Sequence, residues 1–289
     1  MTTRSGDPVP DGGVREEIDD LGDDPVDADG PERAGGSRGV AVATALALGV
    51  LGPLIALASS VLVFAFDAVA GGLSLAASVV LTLIFGQYVA FGGLAVGYLA
   101  WRGFDREGIV DYLGVRVPSL KEIGIVLGGW VTILILIVVV SAVVGLLGTE
   151  TASNQSADLA MGNPSIIPLF IAASFLVIGP CEEILYRGVV QGRLRESLPA
   201  APSILLAAAV FAAIHVMALT GGVSARLTTV VILFVPSIVF GAVYEYTENL
   251  VVPALLHGLH NAVIFTALYV TATQLDPSDL PAAFGVLPL

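Results

Sequence analysis

The chain has 289 residues, of which 56% are hydrophobic and 13% are charged, and its mean hydropathy is +0.90. Soluble domains carry about 25% charged residues, so this composition excludes an ordinary soluble globular protein. The net charge is −13, yet residues 1–38 hold eleven of the 25 carboxylates and four of the 12 basic residues. The sequence therefore joins an acidic tail to a strongly apolar body that belongs in lipid.

The acidic tail, residues 1–38, is predicted to be disordered because it has too few apolar residues to offset its chain entropy. Lys121 is the one lysine in the chain. High acidity with so little lysine is typical of a salt-loving prokaryote, and a genome that disfavours lysine codons would give the same pattern. The sequence has no basic patch for nucleic acid, and its single cysteine, Cys181, excludes an intrachain disulfide.

The body alternates between apolar segments and short charged loops. A transmembrane helix needs about 20 apolar residues, and the segments long enough predict about seven spans. They are Gly39–Phe66, Ala68–Ala100, Ile123–Thr149, Leu159–Leu194, Ser197–Ala225, Leu227–Tyr244 and Leu250–Thr273. We therefore predict an all-α, polytopic helical protein of the cell membrane, surrounded by membrane lipid.

The predicted spans divide the chain into four parts. The tail of residues 1–38 comes first, and residues 39–160 then supply three transmembrane helices and an amphipathic loop. Residues 161–275 hold the remaining helices and every histidine. Residues 276–289 form a C-terminal tail that is too short and too rich in proline to cross a membrane.

Basic residues in the loops predict the orientation. Most of those in the body fall on the same side as the N-terminus, namely Arg102, Arg106, Arg116, Lys121, Arg193 and Arg195. Only Arg226 lies in a loop on the other side. Because loops rich in Arg and Lys stay in the cytoplasm, we predict a cytoplasmic N-terminus.

Three charged residues interrupt the fourth apolar segment. They are Glu182, Glu183 and Arg187. A charge at the centre of a membrane helix costs about 3 kcal/mol on insertion scales, so such groups are candidates for function. Glu183 and Arg187 are four residues apart and can pair on one helix face. Glu182 is rotated by about 100° from Glu183 and is free to act as a base. The alternative is an ion-pair cluster at the membrane interface.

The three histidines lie on two later apolar segments. His215 follows Phe211 by four residues, and His257 precedes Asn261 by four, with His260 between them. Counting residues at about 1.5 Å each places Glu182, His215 and His257 at similar depths. We therefore predict a polar cavity inside the membrane that opens toward the cytoplasm.

In order, these residues resemble the three motifs of the CPBP (CAAX protease and bacteriocin-processing) intramembrane proteases. The motifs are Glu182-Glu183-x-x-x-Arg187, Phe211-x-x-x-His215 and His257-x-x-x-Asn261. The resemblance covers about Pro164–Thr273 and makes residues 161–275 a CPBP-like catalytic core. It implies a helical membrane protease, related to type II CAAX prenyl endopeptidases, whose cavity faces the cytosol.

The resemblance also implies roles for the site residues. Glu182 and His215 would activate water, and His257 and Asn261 would stabilise the oxyanion, while Glu183 and Arg187 occupy the other positions of the first motif. The substrate would be a membrane-associated protein or peptide. Zinc is an open alternative, because His215, His257 and a glutamate would make a His₂Glu set with one free position.

Other interpretations of the same residues stay open. A non-catalytic CPBP-like protein, such as a bacteriocin-immunity or regulatory scaffold, would keep the fold without needing the motif residues. A small proton-coupled transporter would use the glutamates and histidines as a proton relay. We interpret Cys181 as a packing residue, since a thiolate would be disfavoured in lipid beside two carboxylates. His260 is interpreted as a supporting or packing residue.

Overall fold

The computed structural model describes residues 38–274, so the predicted disorder of the tail lies outside the described residues. Within this range the chain is almost entirely helical. We number the helices α1 Arg38–Ala70, α2 Leu75–Trp101, α3 Arg106–Leu113, α4 Leu120–Leu146, α5 Gln155–Gly162, α6 Pro164–Arg195, α7 Ala200–Met217, α8 Val223–Thr247 and α9 Val251–Gln274. Seven of these described helices, all except α3 and α5, are long and apolar enough to cross a membrane. The all-α prediction with seven spans is confirmed.

The fifth predicted span, Ser197–Ala225, extends too far at its C-terminal end. The helix α7 stops at Met217, because the chain then forms strand β2, Leu219–Thr220, followed by Gly221 at a φ of +108°. Strand β2 pairs in antiparallel fashion with β1, Ser153–Asn154, just before α5. An uncharged stretch can contain a turn, which hydropathy alone does not detect.

The long helices contain π-helical turns, in which the backbone is wider than in an α-helix. They are Ile84–Gly93 in α2, and Ser174–Ile178 and Ile184–Gln191 in α6. The two turns in α6 lie on either side of Glu182 and Glu183. Such turns redirect side chains and are frequent at functional sites. Their position therefore makes this part of α6 a candidate functional site.

The helix ends fall into two groups, which we call the basic end and the hairpin end. The basic end comprises residues 101–120, 195–200 and 247–251. The hairpin end comprises residues 70–75, 146–164 and 217–223, and it includes both strands. Since consecutive spans alternate in direction, the two groups lie at opposite faces of the membrane.

The short helix α3 packs closely on α6 at the basic end. Asp105 accepts a hydrogen bond from the backbone N–H of Gly108 and caps the start of α3. A Cβ at Gly188 would collide with the side chain of Leu113, and one at Gly192 would lie 3.0 Å from the Tyr112 hydroxyl. Glycine at these positions allows α3 to approach α6 directly.

Glu196 ties the loops of the basic end together. It accepts hydrogen bonds from Arg102 at 2.5 and 3.3 Å and from the Tyr112 hydroxyl at 2.9 Å, and it also pairs with Arg193. Burial by itself would raise the pKa of Glu196, but the hydrogen bonds from Arg102 and Tyr112 outweigh it, so that the pKa is lowered. The ionised carboxylate therefore contributes to the stability of this end.

We expect this contribution to disappear in acid. Because the pKa of Glu196 is lower in the folded protein than in the unfolded chain, the stabilisation is complete above the unfolded value, about 4.3, and is lost as the pH falls through the folded value. The melting temperature of purified wild-type protein should therefore fall more steeply below about pH 4.3 than that of Glu196→Gln.

A matched control is Glu107→Gln, since Glu107 is an exposed carboxylate on α3. This variant should keep the wild-type dependence of melting temperature on pH. Parallel curves for wild type and Glu196→Gln would show that Glu196 does not stabilise the basic end.

Candidate active site

Glu183 and Arg187 form an ion pair in the interior of the protein. The Arg187 Nε donates to Glu183 Oε2 at 2.9 Å, and both side chains are fully buried. A second nitrogen of Arg187 donates to the Ser237 hydroxyl of α8 at 3.0 Å. The pairing predicted from the four-residue spacing is confirmed. Breaking a buried pair leaves an uncompensated charge, and the hydrogen bond from Arg187 to Ser237 connects this pair on α6 to α8.

Two aromatic rings flank the Arg187 guanidinium. Its Cζ lies 5.0 Å from the ring centre of Phe211 on α7 and 5.8 Å from that of Phe240 on α8. A cation at such distances is attracted to the face of an aromatic ring. This contact gives Phe211, the first residue of the second motif, a structural role.

His257 on α9 lies between the two glutamates. Its Nδ1 is 2.9 Å from Glu183 Oε1, and its Nε2 is 3.9 Å from Glu182 Oε2. Its ring stacks on Phe240 with centres 4.8 Å apart and planes 15° apart. Since a carboxylate paired with arginine accepts hydrogen bonds, Nδ1 is the donor to Glu183. The ring orientation is therefore fixed, and Nε2 is directed toward Glu182.

Glu182 has a different environment from Glu183. Its side chain is 12% exposed, whereas that of Glu183 is fully buried. Its Oε1 accepts a hydrogen bond of 2.9 Å from the Gln87 amide of α2, and its Oε2 is the oxygen nearest His257. As the rotation along the helix predicted, Glu182 is the glutamate without an arginine partner among the described residues. It is therefore available to accept a proton.

His215 lies at the end of α7, where the helix tightens into a 3₁₀ turn. Its Nδ1 is 2.6 Å from the backbone carbonyl of Phe211. A carbonyl can only accept, so Nδ1 carries the hydrogen and the neutral ring keeps its lone pair on Nε2. His215 is therefore a proton acceptor at Nε2, in contrast to His257, whose Nε2 faces a carboxylate.

A cavity of about 320 Å³ brings these residues together. Its lining includes Glu182, His215, His257 and Asn261, whereas Glu183 and Arg187 lie behind it in the protein interior. Seven of the described helices contribute lining residues, namely α1, α2, α5, α6, α7, α8 and α9. The predicted polar cavity is present, and four of the six predicted site residues line it.

The cavity lies toward the hairpin end. Its lining reaches Asn154 and Ser156, beside strand β1, and Ala218 just after α7. Among the described residues, none from the basic end lines it. The sequence predicted an opening on the side of the basic loops, whereas the lining residues of the cavity lie toward the opposite end of the helices. Residue depths counted along separate helices do not show at which end of the helices α3 packs against α6.

Two residues that contact the site were not predicted from the sequence. Gln87 donates to Glu182, and Phe240 stacks on His257. Gln87 is a polar residue within an otherwise apolar span, which was a usable signal, whereas Phe240 is one of many aromatic residues in apolar helices. His260 also lines the cavity, with its ring edge toward Phe240 at 6.5 Å. Cys181 is buried in the core beside Glu182, as expected for a packing residue.

The described residues contain no group of three or more His, Cys, Asp or Glu side chains placed to hold a metal ion. His215 and His257 each have one nitrogen engaged by the protein, by the Phe211 carbonyl and by Glu183. Both contacts use Nδ1, so Nε2 of each ring has no such partner, and a protein partner on one ring nitrogen is also usual for a histidine that ligates a metal. The zinc ligands His215 and His257 stay a prediction from sequence.

The buried pair yields a stability prediction. Arg187→Met leaves Glu183 buried without its cation, so the free energy of unfolding should fall by about 3–5 kcal/mol. Arg195→Met is the control, because Arg195 pairs with Glu245 at 2.9 Å but is 39% exposed, and it should cost less than about 1 kcal/mol. Denaturant unfolding in detergent measures both. Equal losses would contradict the role of the Arg187 pair.

Comparison with known proteins gives a match over part of the chain. Residues 164–263 match the family model described as Type II CAAX prenyl endopeptidase Rce1-like. Neither a curated protein nor a solved structure matches the chain significantly. The matched segment contains all three motifs and all six predicted site residues. The resemblance predicted from the motifs is confirmed, since residues 164–263 are similar to the Rce1-like type II CAAX prenyl endopeptidase family model.

Proposed function

We propose that this protein is an intramembrane endopeptidase that hydrolyses a peptide bond of a membrane-associated protein or peptide. The observation that carries the proposal is the difference in environment between the two adjacent glutamates. Glu183 is fully buried and paired with Arg187, whereas Glu182 has no such partner among the described residues and lines a cavity with His215, His257 and Asn261. Hydrolysis needs such an unpaired base beside a space for the substrate.

In this proposal Glu182 and His215 activate the attacking water. The Oε2 of Glu182 and the lone pair on Nε2 of His215 are both proton acceptors. When the water oxygen bonds to the carbonyl carbon, its proton passes to Glu182. The same proton then moves to the amide nitrogen, so that the C–N bond breaks and an amine leaves. Positioned acid–base groups of this kind contribute about 10²–10⁴-fold to rate.

His257 and Asn261 stabilise the oxyanion that forms on the carbonyl oxygen. The Nδ1 of His257 is held by Glu183, and its Nε2 lies 3.9 Å from Glu182 Oε2 on the side of the cavity. Its Nε2–H can then donate to the oxyanion, together with the Asn261 amide, which also lines the cavity. Donors held in place before the reaction stabilise developing charge more effectively than water does.

The proposal predicts that Glu182→Gln lowers cleavage by at least 10²-fold while the protein still inserts and folds. Peptidomics of native membranes, comparing wild type with Glu182→Gln and His215→Ala, measures this through cleavage products absent from both variants. Ser203→Ala is a matched control, because Ser203 is buried on α7 away from the cavity and bonds to the Pro199 carbonyl. Its products should match those of wild type.

The other outcomes of this experiment are equally informative. Identical peptides from wild type and Glu182→Gln would overturn the endopeptidase proposal and favour a non-catalytic scaffold. Uptake driven by a pH gradient and lost in Glu182→Gln would favour the proton-coupled transporter. One equivalent of zinc in purified wild-type protein, lost in His257→Ala, would replace the metal-free mechanism with a zinc-assisted one.

We also propose an orientation, with the basic end in the cytoplasm. This end and the helix turns next to it carry Arg102, Arg106, Arg116, Lys121, Arg193 and Arg195, whereas the described loops of the hairpin end contain no basic residue, and Arg226 lies in the first turn of α8 beside them. The positive-inside rule places the basic end in the cytoplasm. Because the cavity lies toward the hairpin end, a substrate would then enter from the non-cytoplasmic face. A cavity open to the cytosol, which the family resemblance implies, would require the reverse orientation.

Cysteine labelling in intact cells distinguishes the two orientations. The native Cys181 is buried and is replaced by alanine, and single cysteines are introduced as Ser156→Cys at the hairpin end or Glu107→Cys at the basic end. Both positions are exposed. A maleimide that cannot cross membranes should label the first variant and not the second until cells are opened. Labelling of the second alone would place the cavity on the cytoplasmic face.

A further inference from the structure

Gln87 belongs to a part of the chain that the family match does not cover. It lies on α2, within the π-helical turn Ile84–Gly93, whereas the match begins at residue 164. Its side chain nevertheless lines the same cavity as Glu182, His215 and His257. The first half of the chain therefore contributes a polar group to the site.

Contacts at two residues that follow Gln87 fix α2 against α6. The Tyr88 hydroxyl donates to the backbone carbonyl of Leu176 at 2.8 Å. One turn further along, a Cβ at Gly92 would lie 3.8 Å from the sulfur of Cys181, which precedes Glu182 in the chain. With the two helices held this closely, the Gln87 amide reaches Glu182 Oε1 at 2.9 Å.

The two atoms of the Gln87 amide are used differently. Its nitrogen donates to Glu182, while its oxygen Oε1 is buried and has no hydrogen-bond partner among the described residues. A buried acceptor without a partner is destabilising, because it has lost its hydrogen bonds to water. Since the side chain borders the cavity, a donor on a molecule inside the cavity would remove this destabilisation. The commonest donor on an extended peptide is a backbone N–H.

We propose that Gln87 is a positioning residue for Glu182 and a hydrogen-bond acceptor for the peptide substrate. Its nitrogen holds Oε1 of Glu182, which leaves Oε2 on the side of His257 as the oxygen that receives the proton from water. Its oxygen accepts a backbone N–H of the bound peptide. This inference rests on the proposed endopeptidase function and adds a residue from outside the family domain.

A purely structural role makes a different prediction. If Gln87 only ties α2 to α6, its removal lowers the melting temperature and leaves the kinetics of the folded protein unchanged. If it acts on Glu182 and on the peptide, Gln87→Met lowers kcat by about tenfold or more and raises KM by about tenfold, since each lost hydrogen bond corresponds to about 1–1.5 kcal/mol and about 1.4 kcal/mol is tenfold.

The kinetic experiment uses an internally quenched peptide that carries a cleavage sequence found in the membrane peptidomics. Purified wild type, Gln87→Met and Gln87→Asn are compared at equal amounts of folded protein. Gln87→Asn keeps the amide but shortens its reach, so it should lose activity as well. Gln191→Met is the matched control, because Gln191 is also buried and donates to the Gly241 carbonyl at 3.0 Å outside the cavity lining.

An infrared measurement tests the contact without relying on activity. The difference spectrum between wild type and Glu182→Gln isolates the carboxylate bands of Glu182. Those bands should shift when the same difference is taken in the Gln87→Met background, and stay in place in the Gln191→Met background. This readout needs folded protein only.

The outcomes separate the two proposals. No cleavage of the peptide by wild type contradicts the proposed function, and the infrared bands then still decide whether Gln87 holds Glu182. Cleavage by Gln87→Met with wild-type kcat and KM, or unshifted Glu182 bands, overturns the role of Gln87. Lowered kcat, raised KM and shifted bands in the Gln87 variants, with none of these in Gln191→Met, support it.

Discussion

The site depends on one electrostatic constraint, which is that two adjacent carboxylates must be kept in an apolar interior. Arg187 meets this constraint for Glu183 through a fully buried ion pair at 2.9 Å, enclosed by Phe211 and Phe240. Because Glu183 is neutralised in this way, its second oxygen can hold His257. Glu182 has no arginine partner among the described residues and lines the cavity, where its partly exposed carboxylate can contact water.

The two ends of the helices differ in how closely they are packed. At the basic end, α3 packs against glycines of α6, and Glu196 gathers Arg102, Arg193 and Tyr112, so this end is closely packed. The cavity lies toward the other end, beside the paired strands. With this arrangement, the positive-inside rule places the cavity toward the non-cytoplasmic face, whereas the family resemblance implies a cavity open to the cytosol. The face on which the cavity lies decides which substrates can reach it.

Much of the fold and the site could be predicted from sequence because the relevant signals are local. Uninterrupted apolar segments gave the seven spans, and the four-residue spacing of Glu183 and Arg187 gave the ion pair. Gln87 was visible as a polar residue in an apolar span, but its contact with Glu182 could not be predicted, since it depends on how α2 packs against α6 and on a π-helical turn without a sequence signature. The position of the cavity toward the hairpin end could not be predicted for the same reason, because it depends on how the helices pack.

A structure of the Glu182→Gln protein with an uncleaved peptide bound in the membrane would test the proposed chemistry most directly. The scissile carbonyl carbon should lie about 3–3.5 Å from a water held beside residue 182 and His215, with its oxygen toward His257 and Asn261. The peptide should pass Asn154 and Ala218 at the hairpin end. A peptide bound at the basic end, or with its scissile bond away from residue 182, would contradict the proposal.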